Sequence, residues 1–247
     1  MPDLRDLIRR PIAHRGLHDA ARGVIENTAS AFLAAIAGGY GIELDVQPSA
    51  DGVPVVFHDT VLDRLTDATG AVRDSSVAEL EAARLRGTDD RILPLARVLD
   101  LIDGRAPVFI ELKSRFDGDT RLAQACVEVV ARRRAPLALM SFDPDMVAAV
   151  RTADRGLLRG IVAERRYDHD EWSGIPAATK FSMAHLLHWP RSRFHFVAYR
   201  VHDLSAAAPR LARAAGLPVL TWTVRTAADR TRAEMAADQM IFEGFTP

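Results

Sequence analysis

Eight short apolar runs, most of them separated by a stretch of helix length, set the strongest constraint on how this chain folds. They are Pro11–His14, Gly41–Val46, Pro107–Leu112, Leu137–Ser141, Leu157–Val162, Phe194–Tyr199, Leu217–Val224 and Gln239–Phe242. Near-continuous apolar character over so few residues suits a strand covered on both faces, and strands that alternate with helices build a parallel sheet. The segments Asn27–Ala37, Leu95–Ile102, Thr120–Arg133, Pro144–Thr152, Ser205–Ala215 and Thr226–Ala237 carry the helical pattern. Several have end signals: Asn27 or Thr28 can cap the first, Gly38-Gly39 stops it, and Asp143-Pro144 opens the fourth. Eight strands with interleaved helices in 247 residues predict an α/β fold, a (β/α)8 TIM barrel formed as one domain over residues 1–247.

Two intervals break the alternation. Between Ala163 and Arg193 the chain holds Trp172, Pro176, Trp189 and Pro190, and no single helix declares itself. From His58 to Leu93 Asp, Thr, Gly and Arg abound and only Val77–Arg84 looks helical, so about residues 59–92 read as a small insertion after the second barrel strand. Such a segment at a barrel rim serves as a lid or a substrate wall.

Composition narrows the function. A formal net charge of -1 gives no basic field to hold nucleic acid or an anionic membrane, so any phosphate must be recognised locally. Cys126 is the single cysteine and lies in the helical stretch LAQACVEVVA, which excludes an internal disulfide framework and suits a small buried apolar residue. Met1 to Arg10 lacks the apolar centre of a secretion signal, and no run reaches the ~20 apolar residues of a membrane span. A cytoplasmic protein with no stable membrane insertion is the expectation; the sequence carries no signal of oligomeric state.

The active sites of such barrels form at the carboxyl ends of the strands, where the chemically capable residues of this chain fall. His14 ends the first run, Glu43 and Asp45 lie in the second, and Glu111 and Lys113 end the third. Residues two apart share a strand face, so Glu43 and Asp45 point together, as do Glu111 and Lys113. Carboxylates aimed into a barrel are costly unless positive charge lies between them, supplied by arginines or by a cation. Three carboxylates on neighbouring strands favour one hard divalent ion, Mg2+ or Ca2+ with Mn2+ also accommodated, and the lack of a cysteine cluster or an H-E-x-x-H spacing argues against zinc.

Most of the eight histidines, including His18, His169, His185, His188 and His195, read as structural. His14 and His58 differ. His14 precedes Arg15, which can fork onto a phosphate, and Gly16, which permits a tight turn. His58 follows the extended run Val53–Phe57, which returns its imidazole over the mouth. Two imidazoles can divide general base and general acid work, as phosphodiester cleavage requires.

The runs IAHRG, ENTASAF, GIELDVQPSADGVPVVFHD, ILPLARVL and VFIELK resemble the glycerophosphodiester phosphodiesterase family, phospholipase C-like TIM barrels that hydrolyse glycerophosphodiesters to glycerol 3-phosphate and an alcohol. The WTV at Trp222–Val224 and the closing IFEGFTP are similar to the family's seventh and eighth strand segments. The resemblance implies that His14 and His58 are the catalytic pair, that Glu43, Asp45 and Glu111 bind the divalent ion, and that Arg15 and Lys113 contact the phosphate of a small-molecule substrate. It also implies that Trp222 lines the glycerol side of the pocket. The chain departs from the pattern at Ile25, where proline is usual, at Arg225, where asparagine is usual, and at Gln239 and Glu243, where glycine and aspartate are usual. Two other readings use the same barrel. Lysophospholipase D-like hydrolysis needs an apolar entrance, for which Phe181, Leu186, Leu187, Trp189 and Phe194 are the candidates, though packing of the fifth and sixth units is their plainer role. A non-catalytic phosphate-binding barrel needs the cations but neither the histidines nor the metal cluster.

Overall fold

The computed structural model describes residues 3–133 and 135–247. Met1 and Pro2, the start of the segment read for a secretion signal, and Arg134 lie outside them. The strands are β1 (Ile12–Ala13), β2 (Gly41–Pro48), β3 (Pro54–Val56), β4 (Leu93–Pro94), β5 (Val108–Leu112), β6 (Leu137–Ser141), β7 (Arg159–Ala163), β8 (Phe196–Arg200), β9 (Val219–Val224) and β10 (Gln239–Phe242). Neighbours run β1-β10-β9-β8-β7-β6-β5-β2, all parallel, and a β1–β2 pairing closes the ring. This is the expected (β/α)8 barrel. Strands β3 and β4 pair antiparallel beyond β2 and bracket the insertion, whose Val55, Phe57, Leu62, Val72, Leu80, Leu85 and Ile92 make a small core of their own.

Helices α1 (Leu4–Leu7), α2 (Ala29–Ala37), α3 (Val77–Ala82), α4 (Leu95–Ile102), α5 (Arg121–Ala131), α6 (Pro144–Ala153), α7 (Ala177–Ala184), α8 (Trp189–Ser192), α9 (Ala207–Ala214) and α10 (Ala227–Ala236) complete the order. The capping signals operate as chemistry dictates: the Thr28 side chain accepts from the Ala31 amide, Asp143 from that of Asp145, and Ser76 and Glu79 form a capping box on α3.

Strand residues alternate between two cores. Ile12, Phe109, Ala138, Met140, Val162, Phe196, Ala198, Leu220 and Ile241 fill the barrel interior, while Ile110, Leu139, Ile161, Val197 and Val219 face the helical layer with Val98, Cys126 and Val147. The interior is crowded: a Cβ at Gly160 would stand 2.2 Å from the Phe196 ring, so only glycine fits there. The short α1 sends Leu4 and Leu7 into this interior cluster, and Gln239, one of the departures, donates to the Ile8 carbonyl at 2.9 Å. Its role is to fasten the amino-terminal segment to the first residue of β10, away from the mouth.

The interval that declared no single helix, 163–193, holds a 3-10 turn at Asp170–Trp172 followed by α7 and α8. Within it His188 is buried, its Nδ1 3.0 Å from Ser192 Oγ and its ring beside Phe194. Burial lowers its pKa to about 4, Arg191 pushes the same way and Asp145 opposes. The unfolded chain therefore binds a proton here below the ordinary value of 6.5 that the folded chain refuses until about 4. Stability is complete above that window and falls as pH drops through it, by about 3 kcal/mol. Melting followed from pH 7 to pH 4.5 should show a shallower decline for His188→Asn than for the wild type; parallel curves would rule the effect out.

Candidate active site

Continuing the inward alternation to the carboxyl ends of the strands brings one ring of side chains to the mouth. It comprises His14 after β1, Glu43 and Asp45 on β2, Glu111 and Lys113 on and after β5, Phe142 after β6, Glu164 after β7, Arg200 on β8, Trp222 on β9 and Glu243 after β10. The charged, chemically competent half is contributed by β10, β1, β2 and β5.

The turn after β1 is tightly constrained. A Cβ on Gly16, whose φ is +79°, would meet the Ala31 side chain and backbone at 2.8–2.9 Å, so glycine lets this turn lie directly on α2. Arg15 and Asn27 both adopt left-handed backbone, φ 55° and 58°, and are joined by a hydrogen bond from the Asn27 amide to the Arg15 carbonyl. Backbone held in that region at two polar residues is a marker of function. It delivers donors to the carboxylates: the Arg15 amide to Glu43 Oε2 at 3.0 Å, and Asn27 Nδ2 to Asp45 Oδ2 at 2.9 Å. The Asp45 amide returns to Asn27 Oδ1 at 3.2 Å.

Glu43, Asp45 and Glu111 are buried, with one oxygen from each lying within 4.8 Å of the others. Lys113 Nζ stands 2.8 Å from both Asp45 Oδ1 and Glu111 Oε1, and Arg15 Nε 3.2 Å from Asp45 Oδ2. Burial alone would raise the Asp45 pKa, but Lys113 and Arg15 outweigh it and hold this carboxyl far below the usual range. Glu43 goes the other way, pushed well up by burial and by its neighbours Asp45 and Glu111. Lys113 and Arg15 thus satisfy Asp45 but leave Glu43 short of positive charge. A hard divalent ion fits that deficit and that all-oxygen donor set.

Each histidine of the predicted pair has a carboxylate at Nδ1. His14 Nδ1 lies 2.7 Å from Glu243 Oε2, which also accepts from Arg225 at 2.7 Å. Arg225 and Glu243, both departures from the family pattern, therefore pair with each other, and Glu243 does more by holding His14. Burial would raise the Glu243 carboxyl, yet His14 and Arg225 bring it down to about 2. His14 itself is lowered by burial, with Glu243 opposing. His58 Nδ1 lies 2.8 Å from Asp59 Oδ1. Its backbone is clamped by buried Gln47 of β2, which donates to the carbonyls of Phe57 at 2.9 Å and Asp59 at 2.7 Å. A carboxylate at Nδ1 holds the proton there and leaves Nε2 as the reacting nitrogen. In the structure His14 Nε2 lies 3.9 Å from Glu43 Oε2, so it faces the carboxylate cluster.

The other half of the ring forms a wall. Trp222 registers with Arg200, donates from Nε1 to the Ala198 carbonyl at 2.9 Å, and meets Phe142 edge-on at 5.3 Å. Phe142 packs on Trp172, whose Nε1 donates to buried Glu164 at 2.7 Å, and Arg200 Nη1 reaches the same carboxylate at 3.1 Å. Of the five residues considered for an apolar entrance, Phe181, Leu187 and Trp189 are exposed. Leu186 and Phe194 pack into the helical layer, and α8 is tied to the last turn of α6 by Arg151 donating to the Arg191 carbonyl, at the end of the barrel opposite the mouth.

Seven of the eight residues singled out thus converge from four elements, and Trp222 stands across the mouth from β5. Asp59 adjoins His58 in sequence and Glu26-Asn27 opens the ENTASAF run, but the sequence gives them no task beyond the helix cap at Asn27. Glu164 and Arg200 were hidden because β7 and β8 begin two residues later than the apolar runs suggest and end one residue later.

Residues 14–243 match the model of the glycerophosphoryl diester phosphodiesterase family, and the chain belongs to that family of phosphoric diester hydrolases. It is similar to glycerophosphodiester phosphodiesterase 1 of Homo sapiens, 28% identical over 249 residues that span 87% of this chain and 71% of that one. Over 111 residues it is 43% identical to the glycerophosphodiester phosphodiesterase of Caldanaerobacter subterraneus, covering 42% of this chain and 44% of the other. Among solved structures it is similar in fold to an Oleispira antarctica phosphodiesterase described in complex with the product sn-glycerol-3-phosphate, with a TM-score of 0.79, 22% identity and coverage of 96% and 94%. The Thermotoga maritima glycerophosphodiester phosphodiesterase gives a TM-score of 0.71 at 25% identity, covering 95% of this chain and 94% of that one. Among the described residues no helix is long and apolar enough to cross a membrane.

Proposed function

We propose that this protein hydrolyses glycerophosphodiesters to glycerol 3-phosphate and a free alcohol, with a divalent cation and with His14 and His58 as the proton-transfer pair. One observation carries the reading: two histidines, each with a carboxylate at Nδ1, are gathered with buried Glu43, Asp45 and Glu111 at one barrel mouth. The family membership and the product described for the Oleispira antarctica structure support the substrate class.

Glu43, Asp45 and Glu111 would hold the ion, Mg2+ or Ca2+ with Mn2+ as a third candidate, and the ion would supply positive charge against the developing charge of the phosphate. Arg15 and Lys113 add their own charge on the same side; burial works against both cations, but the carboxylates around them keep both firmly protonated. One imidazole takes the proton of the attacking hydroxyl and the other returns a proton to the departing alkoxide; the attacker is water, or the glycerol 2-hydroxyl, in which case the cyclic phosphate it forms is opened by water in a second step. Trp222, with Phe142 at its edge, gives the glycerol carbons an apolar face.

The test is direct. Protein stripped with a chelator should lose turnover of glycerophosphocholine, glycerophosphoethanolamine and glycerophosphoglycerol, and Mg2+, Ca2+ or Mn2+ restored in turn should recover it, with glycerol 3-phosphate as the measured product. Absence of that product from every substrate with every ion would sink the reading.

A further inference from the structure

Arg64 belongs to the insertion between β3 and β4, outside the strand–helix repeat, yet its guanidinium sits between two carboxylates of the mouth. Nε and Nη2 reach Asp59 Oδ2 and Oδ1 at 2.5 and 2.9 Å, and Nη1 and Nη2 reach Glu26 Oε2 and Oε1 at 3.1 and 2.8 Å. Beyond Asp59 comes His58 Nδ1 at 2.8 Å, and beyond Glu26 comes Arg15 Nη1 at 2.7 Å. The result is an unbroken chain, His58–Asp59–Arg64–Glu26–Arg15, that ties the loop after β1 to the loop after β3.

Stability alone does not explain this arrangement. The Arg64 side chain is 47% exposed, and exposed ion pairs contribute little to folding. What a guanidinium contributes is geometry, since its planar fork fixes a carboxylate at two points where an ammonium fixes it at one. Arg64 is itself held in place, because Arg86 Nη1 donates to the carbonyls of Asp63 and Arg64. Burial would raise both Glu26 and Asp59, but their basic partners outweigh it and keep both carboxylates ionised and able to accept.

We propose that Arg64 is a positioning residue of the hydrolysis: anchored on Glu26, it clamps Asp59 and so orients His58, presenting Nε2 to the substrate. The inference rests on the reading of His58 as a proton-transfer group. Arg15 keeps its contacts with Asp45 and Glu26 when Arg64 is lost, so the effect falls on kcat and spares KM.

Five variants, assayed on glycerophosphocholine with saturating metal, test it. Arg64→Gln should lower kcat about 10- to 100-fold, the scale of a small misplacement of a reacting group, with KM within about threefold and an unchanged melting temperature. Arg64→Lys, which keeps the charge but not the fork, should resemble Arg64→Gln. Asp59→Asn, which leaves the guanidinium in place and weakens its link to His58, should lose as much and serves where Arg64→Gln fails to fold. In a His58→Ala background Arg64→Gln should change kcat by less than about threefold, because residues acting through one group are not additive. Wild-type kcat in both Arg64→Gln and Asp59→Asn, or a full additional loss on top of His58→Ala, would overturn the inference. Wild-type kcat in His58→Ala alone would instead overturn the reading beneath it.

Discussion

Replacing His14 with alanine is expected to lower kcat for glycerophosphodiesters by about 100- to 10,000-fold, the range measured when a general acid or base is removed. The geometry makes this position hard to replace. His14 is the first residue after β1, its Nδ1 is taken by Glu243 at 2.7 Å, and its Nε2 faces Glu43 at 3.9 Å. No other described histidine stands in that relation to the carboxylate cluster: the contact of His18 Nε2 is with Glu243 Oε1, at 3.8 Å. Adding imidazole to the alanine variant should recover part of the rate, which separates a missing proton carrier from a disordered loop. Near-normal turnover by His14→Ala with metal present would remove the residue from the mechanism.

The barrel was readable because its physics is local: a strand buried on both faces needs an apolar run, and all eight runs became strands. The residues at the strand ends were legible to the same degree, since Glu43, Asp45 and Glu111 follow from alternation alone. What alternation cannot convey is which side chains meet across the mouth. Glu243 is 229 residues from His14 in sequence, and nothing local announces their 2.7 Å contact. Arg64 lies in a segment without periodicity, where a charged residue in a polar loop looks like a solvated one. The length of a strand is equally opaque when its flanks are apolar too. Leu157 and Leu158 extend the apolar run of β7 backwards, so the run predicts a strand that ends at Val162 when pairing with β8 carries it to Ala163. That small shift conceals Glu164, and a similar one conceals Arg200. As a result the half of the mouth that carries His14, Glu43, Asp45 and Glu111 is legible in the sequence, as is Trp222 across from it, while Phe142, Glu164 and Arg200 of that opposite wall emerge only from tertiary pairing.

Asp45→Asn is expected to have the other large effect, and on two quantities at once. Asp45 accepts from Lys113 and Asn27 and faces Arg15 in a site where it is 1% exposed, so its charge is compensated by two cations rather than by water. Removing that charge leaves Lys113 with Glu111 and Arg15 with Glu26 as remaining partners. The loss in folding stability should therefore sit near the low end of what a broken buried pair costs, about 3 kcal/mol. The loss in activity is larger. A metal ion contributes several kcal/mol to the transition state, and each 1.36 kcal/mol is tenfold in rate, so a weakened ion site should cost on the order of 1,000-fold in kcat/KM. The two effects separate experimentally through linkage. Added Mg2+, Ca2+ or Mn2+ should raise the melting temperature of the wild type in proportion to the logarithm of its concentration, because the folded state alone presents the three carboxylates together. The same titration on Asp45→Asn should produce little shift, whereas a surface variant of equal instability would keep the full response. A variant that retained both the metal-dependent rise and a rate within about threefold of wild type would show that Asp45 serves only to pair Lys113 and Arg15.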